Sequence, residues 1–472
     1  MTGTIKLSHF SVKEYLISDR IEKNFKISEK TSHSKISEIS VAYLLQFDSF
    51  KPLTEAMLDS SPLARYAARN WIDHAKSGGM DSGVLKLILR LFMSETAPLT
   101  NWIRLCNIDD PYTPGEYLSM DKAEVHSPLY YAALAGIGQL VYYLLEKGAQ
   151  VNAQQGRYGF ALQAASYGGH EAIVNMLLEN GAEVNAQGGE YGNMLQAASY
   201  RGCPVIVKVL LEKGAGVNAQ GGTLGNALQA ASIRGHEVIV KVLLERGAEV
   251  NAQGGEYGNA LQAASIGGHE AIVKVLFEMG AEVNAQGGCY GNALQAASFG
   301  GYEAIIKVLL EKGAEVNAQG GYFGNALQAA SIGGHEAIIK VLLEKGAEVN
   351  AQGGHFGNAL QAASLLGHQE IVKVLLEKGA EVNVQGGYFG NALQAASSSS
   401  HDCEAIVQML LENGAEVNAQ GGEYGNALKA ASIYGHEATV KVLLENGAQV
   451  NAAAMEHISN HTVLKLLMEA KQ

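Results

Sequence analysis

The stretch Asn251–Val283, NAQGGEYGNALQAASIGGHEAIVKVLFEMGAEV, returns along the chain almost unchanged. A second copy, Asn317–Val349, differs from it at five of 33 positions. A Val-Asn pair recurs with its Asn at 152, 185, 218, 251, 284, 317, 350, 383, 418 and 451. Every step is 33 residues except the one from Asn383 to Asn418, which is 35. A unit this short cannot bury its apolar side alone, so neighbours must stack and share a core. The period therefore predicts an all-α solenoid built of helix-turn-helix units with β-hairpin-like fingers. A chain of 472 residues is in any case too long for one ordinary compact core.

The unit beginning at Asn259 shows the internal logic. Asn259 is a good N-cap for a short helix running to about Ile266. Its Ala263-Ala264 stretch permits close helix approach, and Gly267-Gly268 turns the chain. A second helix is predicted from about Glu270 to Glu278, with Ile272, Val273, Leu276 and Phe277 as its apolar stripe. Glu270 lies four residues before Lys274, the favourable order for a surface pair worth about 0.2–0.5 kcal/mol. Gly280 stops the helix where a left-handed residue costs least. The sequence that follows, EVNAQGGxYG, reads as an extended finger closed by a Gly-Gly turn. With helices about 8–10 Å apart, ten such units would extend roughly 80–100 Å.

Composition narrows the function. The net charge of −13 disfavours nucleic acid, since phosphate neutralisation needs a basic surface, and likewise an anionic membrane. The four cysteines, Cys106, Cys203, Cys289 and Cys403, form no CxxC pair and read as free thiols in a reducing compartment. The N-terminus lacks the apolar core of a signal peptide, and no 18-residue apolar run occurs. The nearest candidate, Val84–Met93, is interrupted by Lys86 and Arg90. An intracellular monomer is the expectation, in the cytoplasm or alternatively the nucleus, which leaves the sequon at Asn460-His461-Thr462 unread.

Residues 1–108 do not repeat and are expected to form a small, mostly helical region. Ile5-Lys6-Leu7 alternates like a strand, and Ser11 with Glu14 has capping-box spacing. Helices are predicted at Ile36–Phe47, at Pro62–Ala75 behind an Ser61 cap, and at Gly83–Met93 capped by Asp81 or Ser82. Residues 109–126 read as a linker, with two Pro and a Gly between Asp109 and Glu116. Ten repeats occupy 127–454. Residues 455–472 carry a helix around Thr462–Glu469 that caps the open end of the stack.

This 33-residue unit closely resembles the ankyrin repeat. The Thr-Pro-Leu-His opening of that family stands here once as Ser127-Pro128-Leu129-Tyr130 and elsewhere as Asn-Ala-Leu-Gln, as in Asn259–Gln262. Gly-His before the second helix is kept at Gly235-His236, Gly268-His269, Gly334-His335, Gly367-His368 and Gly435-His436. The first part of the chain, LSHFSVKEYLISDRI and later PLARYAARNWIDHA, is similar to the segment between the NACHT nucleotide-binding domain and the repeats of fungal NLR-like (STAND) proteins. No GxxxxGK[ST] occurs, so the switch domain of those proteins is not in this sequence. The resemblance implies a non-enzymatic recognition or scaffold protein related to their sensor half. Its alternative is a regulatory fragment that docks on a separate STAND NTPase.

Several motifs have plain structural explanations. His170, His236, His269, His335, His368 and His436 recur at one position of the repeat, where Cys203 and Tyr302 replace two others. At roughly 10 Å spacing they cannot share an ion whose ligands lie about 2 Å away. They read as hydrogen-bonding groups at the inter-helix turn. Gly254-Gly255-Glu256-Tyr257-Gly258 has neither the strand before it nor the Lys after it that a phosphate loop needs. No catalytic set stands out, and no cofactor or metal is expected. The insertion Ser397–Cys403 reads as a loop bump, with a local hinge or a binding excrescence as alternatives.

The residues that change between near-identical copies are the candidates for function. One set occupies the finger: Arg157, Glu190, Thr223, Glu256, Cys289, Tyr322, His355, Tyr388 and Glu423. The other follows Ala-Ala-Ser: Tyr167, Tyr200, Ile233, Ile266, Phe299, Ile332, Leu365 and Ile433. Stacking sets each in a row, and both rows are expected on the concave side, facing a protein partner. The aromatic after the finger residue (Tyr257, Phe323, Phe356) hardly varies and is expected to pack each finger on its neighbour.

Overall fold

A computed structural model describes residues 28–93, 97–110, 117–400, 403–450, 458 and 460–471. The expected strand at residues 5–7 and the Ser11 cap lie outside them. Among the described residues every regular element is helical, and the strand-like pairing is limited to isolated bridges. The chain forms two compact units: Met1–Met194 with Glu212–Gly214, and Leu195–Leu211 with Ala215–Gln472.

The first unit opens with α1 (Glu29–Leu44), α2 (Glu55–Asp59), α3 (Ala64–Gly78), α4 (Ser82–Met93) and α5 (Pro98–Leu105). Helix α1 begins two turns before its apolar pattern does. Ser28 caps it through the Thr31 N–H, and its first two turns are polar, exposed at Glu29–Thr31 and half-buried at 32–34, so hydrophobic spacing does not register them. Helix α3 starts at Ala64, later than expected. The Ser61 carbonyl, not its side chain, accepts from Ala64 N–H at 3.0 Å across a Pro62-Leu63 turn. Asp81 caps α4, its Oδ1 accepting from Gly83 and Val84 N–H at 2.9 and 3.0 Å.

An aromatic cluster centres this region. Trp71 and Trp102 meet edge to face at 5.3 Å, with Phe92 at 6.4 and 5.5 Å from them. Trp102 Nε1 donates to Ala68 O at 3.0 Å. Arg104 is buried, yet its guanidinium donates to Met120 O, Lys51 O, Phe50 O and Asn101 Oδ1. Those four bonds offset the cost of taking its charge out of water and tie distant segments to α5. Two helix pairs follow in the same unit, Pro128–Ala135 with Gly138–Glu146 and Ala161–Gly168 with Glu171–Glu179. Asp109 joins them: its carboxylate accepts from the Tyr130 hydroxyl and from Arg157 N–H (2.8 Å).

The second unit holds the pairs from Ala227–Arg234 and Glu237–Glu245 onward, and most of the pair before them. Its logic is that of the unit at Asn259. Asn259 Oδ1 accepts from Gln262 N–H at 2.9 Å, and Gln262 Oε1 accepts from Asn259 N–H at 2.7 Å. This reciprocal capping box starts the helix Ala260–Gly267. Gly268 ends it at φ +78°, the left-handed conformation glycine adopts freely. The second helix spans Glu270–Glu278 and buries Ile272, Val273 and Leu276 completely, while Phe277 stays half-buried. Each of those three contributes about 1.5–3 kcal/mol relative to exposure. Glu270 pairs with Lys274 at 2.6 Å on the wet side.

First helices pack on first helices and second on second within the unit. Ala263 and Ala264 are fully buried at that contact. The repeated histidines hold the turn. Nε2 of His269 lies 3.1 Å from Ile233 O and that of His335 2.9 Å from Phe299 O, in the preceding repeat. A carbonyl only accepts, so these rings carry their proton on Nε2. At the insertion, Ser398 and Ser399 are buried rather than projecting, and His436 donates to Ser399 O at 2.9 Å. The helix His461–Ala470 closes the described chain, with Asn460 Oδ1 capping Thr462 and Val463 N–H at 2.9 and 3.3 Å. No helix among the described residues is long and apolar enough to cross a membrane.

Candidate functional site

The finger is built by glycine. Gly254 N–H donates to Gly258 O at 2.8 Å, an antiparallel bridge that recurs once per repeat from Gly221–Gly225 to Gly421–Gly425. Between the two glycines sits the residue that varies. Its backbone reaches the next finger. Glu256 N–H donates to Thr223 O (2.9 Å), Cys289 to Glu256 (2.8 Å) and Tyr322 to Cys289 (2.9 Å). The line continues through His355 to Tyr322 (3.0 Å), Tyr388 to His355 (3.0 Å) and Glu423 to Tyr388 (3.1 Å). The backbone alone fixes this row, so its side chains are free to differ without disturbing the fold.

Those side chains face outward. Thr223, Glu256, Cys289, Tyr322, Tyr388 and Glu423 are exposed and His355 is half-buried. The three rings form one stack: Tyr322 on His355 at 5.0 Å and 15°, His355 on Tyr388 at 5.1 Å and 24°. Beneath them Phe356 and Phe389 meet the stack edge to face. The neighbouring Glu423 carboxylate pushes the Tyr388 phenol up from its ordinary value.

The second set is half-buried throughout: Tyr167, Tyr200, Ile233, Ile266, Phe299, Ile332, Leu365 and Ile433. Phe299 stacks on Phe323 at 4.6 Å, and Tyr200 lies under the Arg234 guanidinium at 5.0 Å. In the first unit Tyr167 packs against Tyr158 and Tyr191 at 4.5 and 5.1 Å. Where an aromatic follows the finger residue in the middle of the array, it packs against its neighbour. Tyr257 stacks on Tyr290 at 6.2 Å, and Phe323 is buried against Tyr290 at 5.7 Å.

Arg157 and Glu190, the finger residues of the first unit, are occupied with each other. Their side chains form an ion pair, and Glu190 N–H donates to Arg157 O at 2.8 Å. The bond to Glu190 raises the Arg157 pKa further above its ordinary value.

A family model described as "Ankyrin repeats (3 copies)" matches residues 112–188, 188–254, 253–320, 294–386 and 387–454. The chain belongs to the ankyrin-repeat family. A curated relative from Monascus ruber, "Azaphilone pigments biosynthesis cluster protein L", is 39% identical over 186 residues. That match covers 35% of this chain and 38% of the relative, well under two thirds of its length. The ankyrin repeat domain of human ASB11 is 29% identical over 47% of this chain and 99% of that domain, with a TM-score of 0.41.

Two side-chain ladders between ankyrin repeats escaped the reading of the sequence. Asn251 Nδ2 donates to Gly280 O at 3.1 Å, and its Oδ1 accepts from Glu282 N–H at 2.9 Å. Gln262 Nε2 reaches Ala285 O, Gly287 O and Gly291 O at 3.3, 3.2 and 2.7 Å. The signal was present in the unchanging Asn of each Val-Asn pair and Gln of each Ala-Leu-Gln. Leu366 and Tyr434, exposed next to the second row, were also missed. Tyr434 bonds Tyr424 hydroxyl to hydroxyl at 2.8 Å.

Proposed function

We propose that this ankyrin-repeat protein is a non-enzymatic recognition or scaffold module that holds a protein partner along its finger row, on the concave side of the array. The repeats of residues 127–454 are the binding part, carried by a monomer inside the cell. The observation that supports this reading most is the stack of Tyr322, His355 and Tyr388. It joins three exposed or half-exposed rings on fingers whose backbone needs none of them. Large aromatic side chains in the open contribute little to the fold and much to binding. Thr223, Glu256, Cys289 and Glu423 extend the row, with the half-buried second set behind it. The relation to the sensor half of NLR-like proteins belongs to the same reading and rests on the resemblance of residues 1–108.

The test is the double variant Tyr322→Ala/Tyr388→Ala. Partner capture by the full chain falls at least tenfold, about 1.4 kcal/mol, while Tm moves by less than about 4 °C. Unchanged capture, or loss of the folded state, overturns the placement.

A second reading, docking of residues 1–120 on a separate STAND NTPase, is favoured by three large apolar side chains left exposed around α1 and α3: Ile39, Leu63 and Tyr66. Replacing them together with Ser abolishes co-purification with such an ATPase if this reading holds.

A further inference from the structure

The chemistry around the aromatic stack says more about the partner than that it is a protein. From Thr223 to Glu423 the finger row carries Thr, Glu, Cys, Tyr, His, Tyr and Glu, and no Lys or Arg. The rings lie nearly parallel, so their inner faces cover one another, and Tyr388 at the end of the stack is 44% exposed. At that end stands Glu423, exposed, on the next finger, its N–H bonded to Tyr388 O at 3.1 Å. A ring face with a carboxylate on the neighbouring finger suits one side chain above others. A guanidinium is planar, so it can extend a ring stack, and its fork of donors matches a carboxylate. An ammonium answers the charge but not the flat surface.

We infer that the partner segment held on this row presents an arginine side chain to the corner formed by Tyr388 and Glu423. The inference rests on the finger row being the binding surface. It adds the class of partner: an extended, arginine-bearing protein segment whose positive charge meets the acidic end of the row. The net charge of −13 favours the same encounter at long range.

The test uses the full chain and a dye-labelled peptide of alternating arginine and glycine, with lysine and glutamate peptides of the same length, read by fluorescence anisotropy at physiological salt. The arginine peptide binds, the lysine peptide binds more weakly, and the glutamate peptide does not bind. Glu423→Gln and Tyr388→Leu each weaken the arginine peptide roughly five- to tenfold. Glu344→Gln, on an exposed second-helix end, leaves it unchanged. Circular dichroism confirms that the variants fold. Equal binding of the arginine and lysine peptides, or equal loss in Glu344→Gln and Glu423→Gln, overturns the inference in favour of general acidity. Failure here, with partner capture still lost in Tyr322→Ala/Tyr388→Ala, removes only the arginine and leaves the protein-binding reading standing.

Discussion

At Gln262 one amide closes its own helix and fastens the next finger. Its oxygen accepts from Asn259 N–H, and its nitrogen faces three carbonyls of the following repeat. Gln262→Ala leaves these buried groups without partners, at a cost of about 2–3 kcal/mol, read by urea unfolding. Gln262→Glu is more informative. An ionised carboxylate against carbonyl oxygens is disfavoured, so its folded pKa lies above the unfolded value of about 4.3. The variant is therefore closest to wild type below pH about 4.3 and loses stability as pH rises through the folded pKa. A stability difference independent of pH between the two proteins contradicts this placement of the amide. The residue types were plain in the sequence, yet the second function of Gln262 was not. Its acceptors lie 23, 25 and 29 residues on, a separation no local pattern reports.

At the scale of the element, two glycines of one repeat separate backbone conformation from space. Gly280 ends a second helix at φ +85° with nothing near the position of a Cβ. Gly280→Ala therefore costs only the left-handed penalty, about 1–2 kcal/mol. Gly255 has φ +61°, and a Cβ there would lie 2.5 Å from the backbone nitrogen of Gly225 in the preceding finger. Gly255→Ala adds overpacking and costs roughly 3 kcal/mol or more. Thermal unfolding of both variants checks the difference in size. In the first unit, Asp109→Ala removes the acceptor shared by Tyr130 and Arg157. It costs about 3 kcal/mol and speeds amide exchange at Arg157. The helices, caps and fingers of the repeats were legible because each copy restates the same signals. The polar first turns of α1 and the buried serines of the insertion were not. Their structure depends on tertiary partners: α1 packs on α3, and Ser399 O meets His436.

For the whole molecule, the sequence exposed the candidate rows by variation against a constant background, and it could do so only because the copies are nearly identical. It did not reveal that Tyr322, His355 and Tyr388 close into one stack, or that Arg157 and Glu190 pair with each other, since both depend on side-chain direction across repeats. The central claim is that the finger row meets a protein. Site-specific photo-cross-linking tests it directly. A benzophenone amino acid placed in the full chain at position 388, and separately at Lys345 on an exposed second-helix end, is illuminated with the partner present. The account predicts a protein adduct from position 388 and none from 345. Adducts from 345 alone, or equally from both, would contradict it.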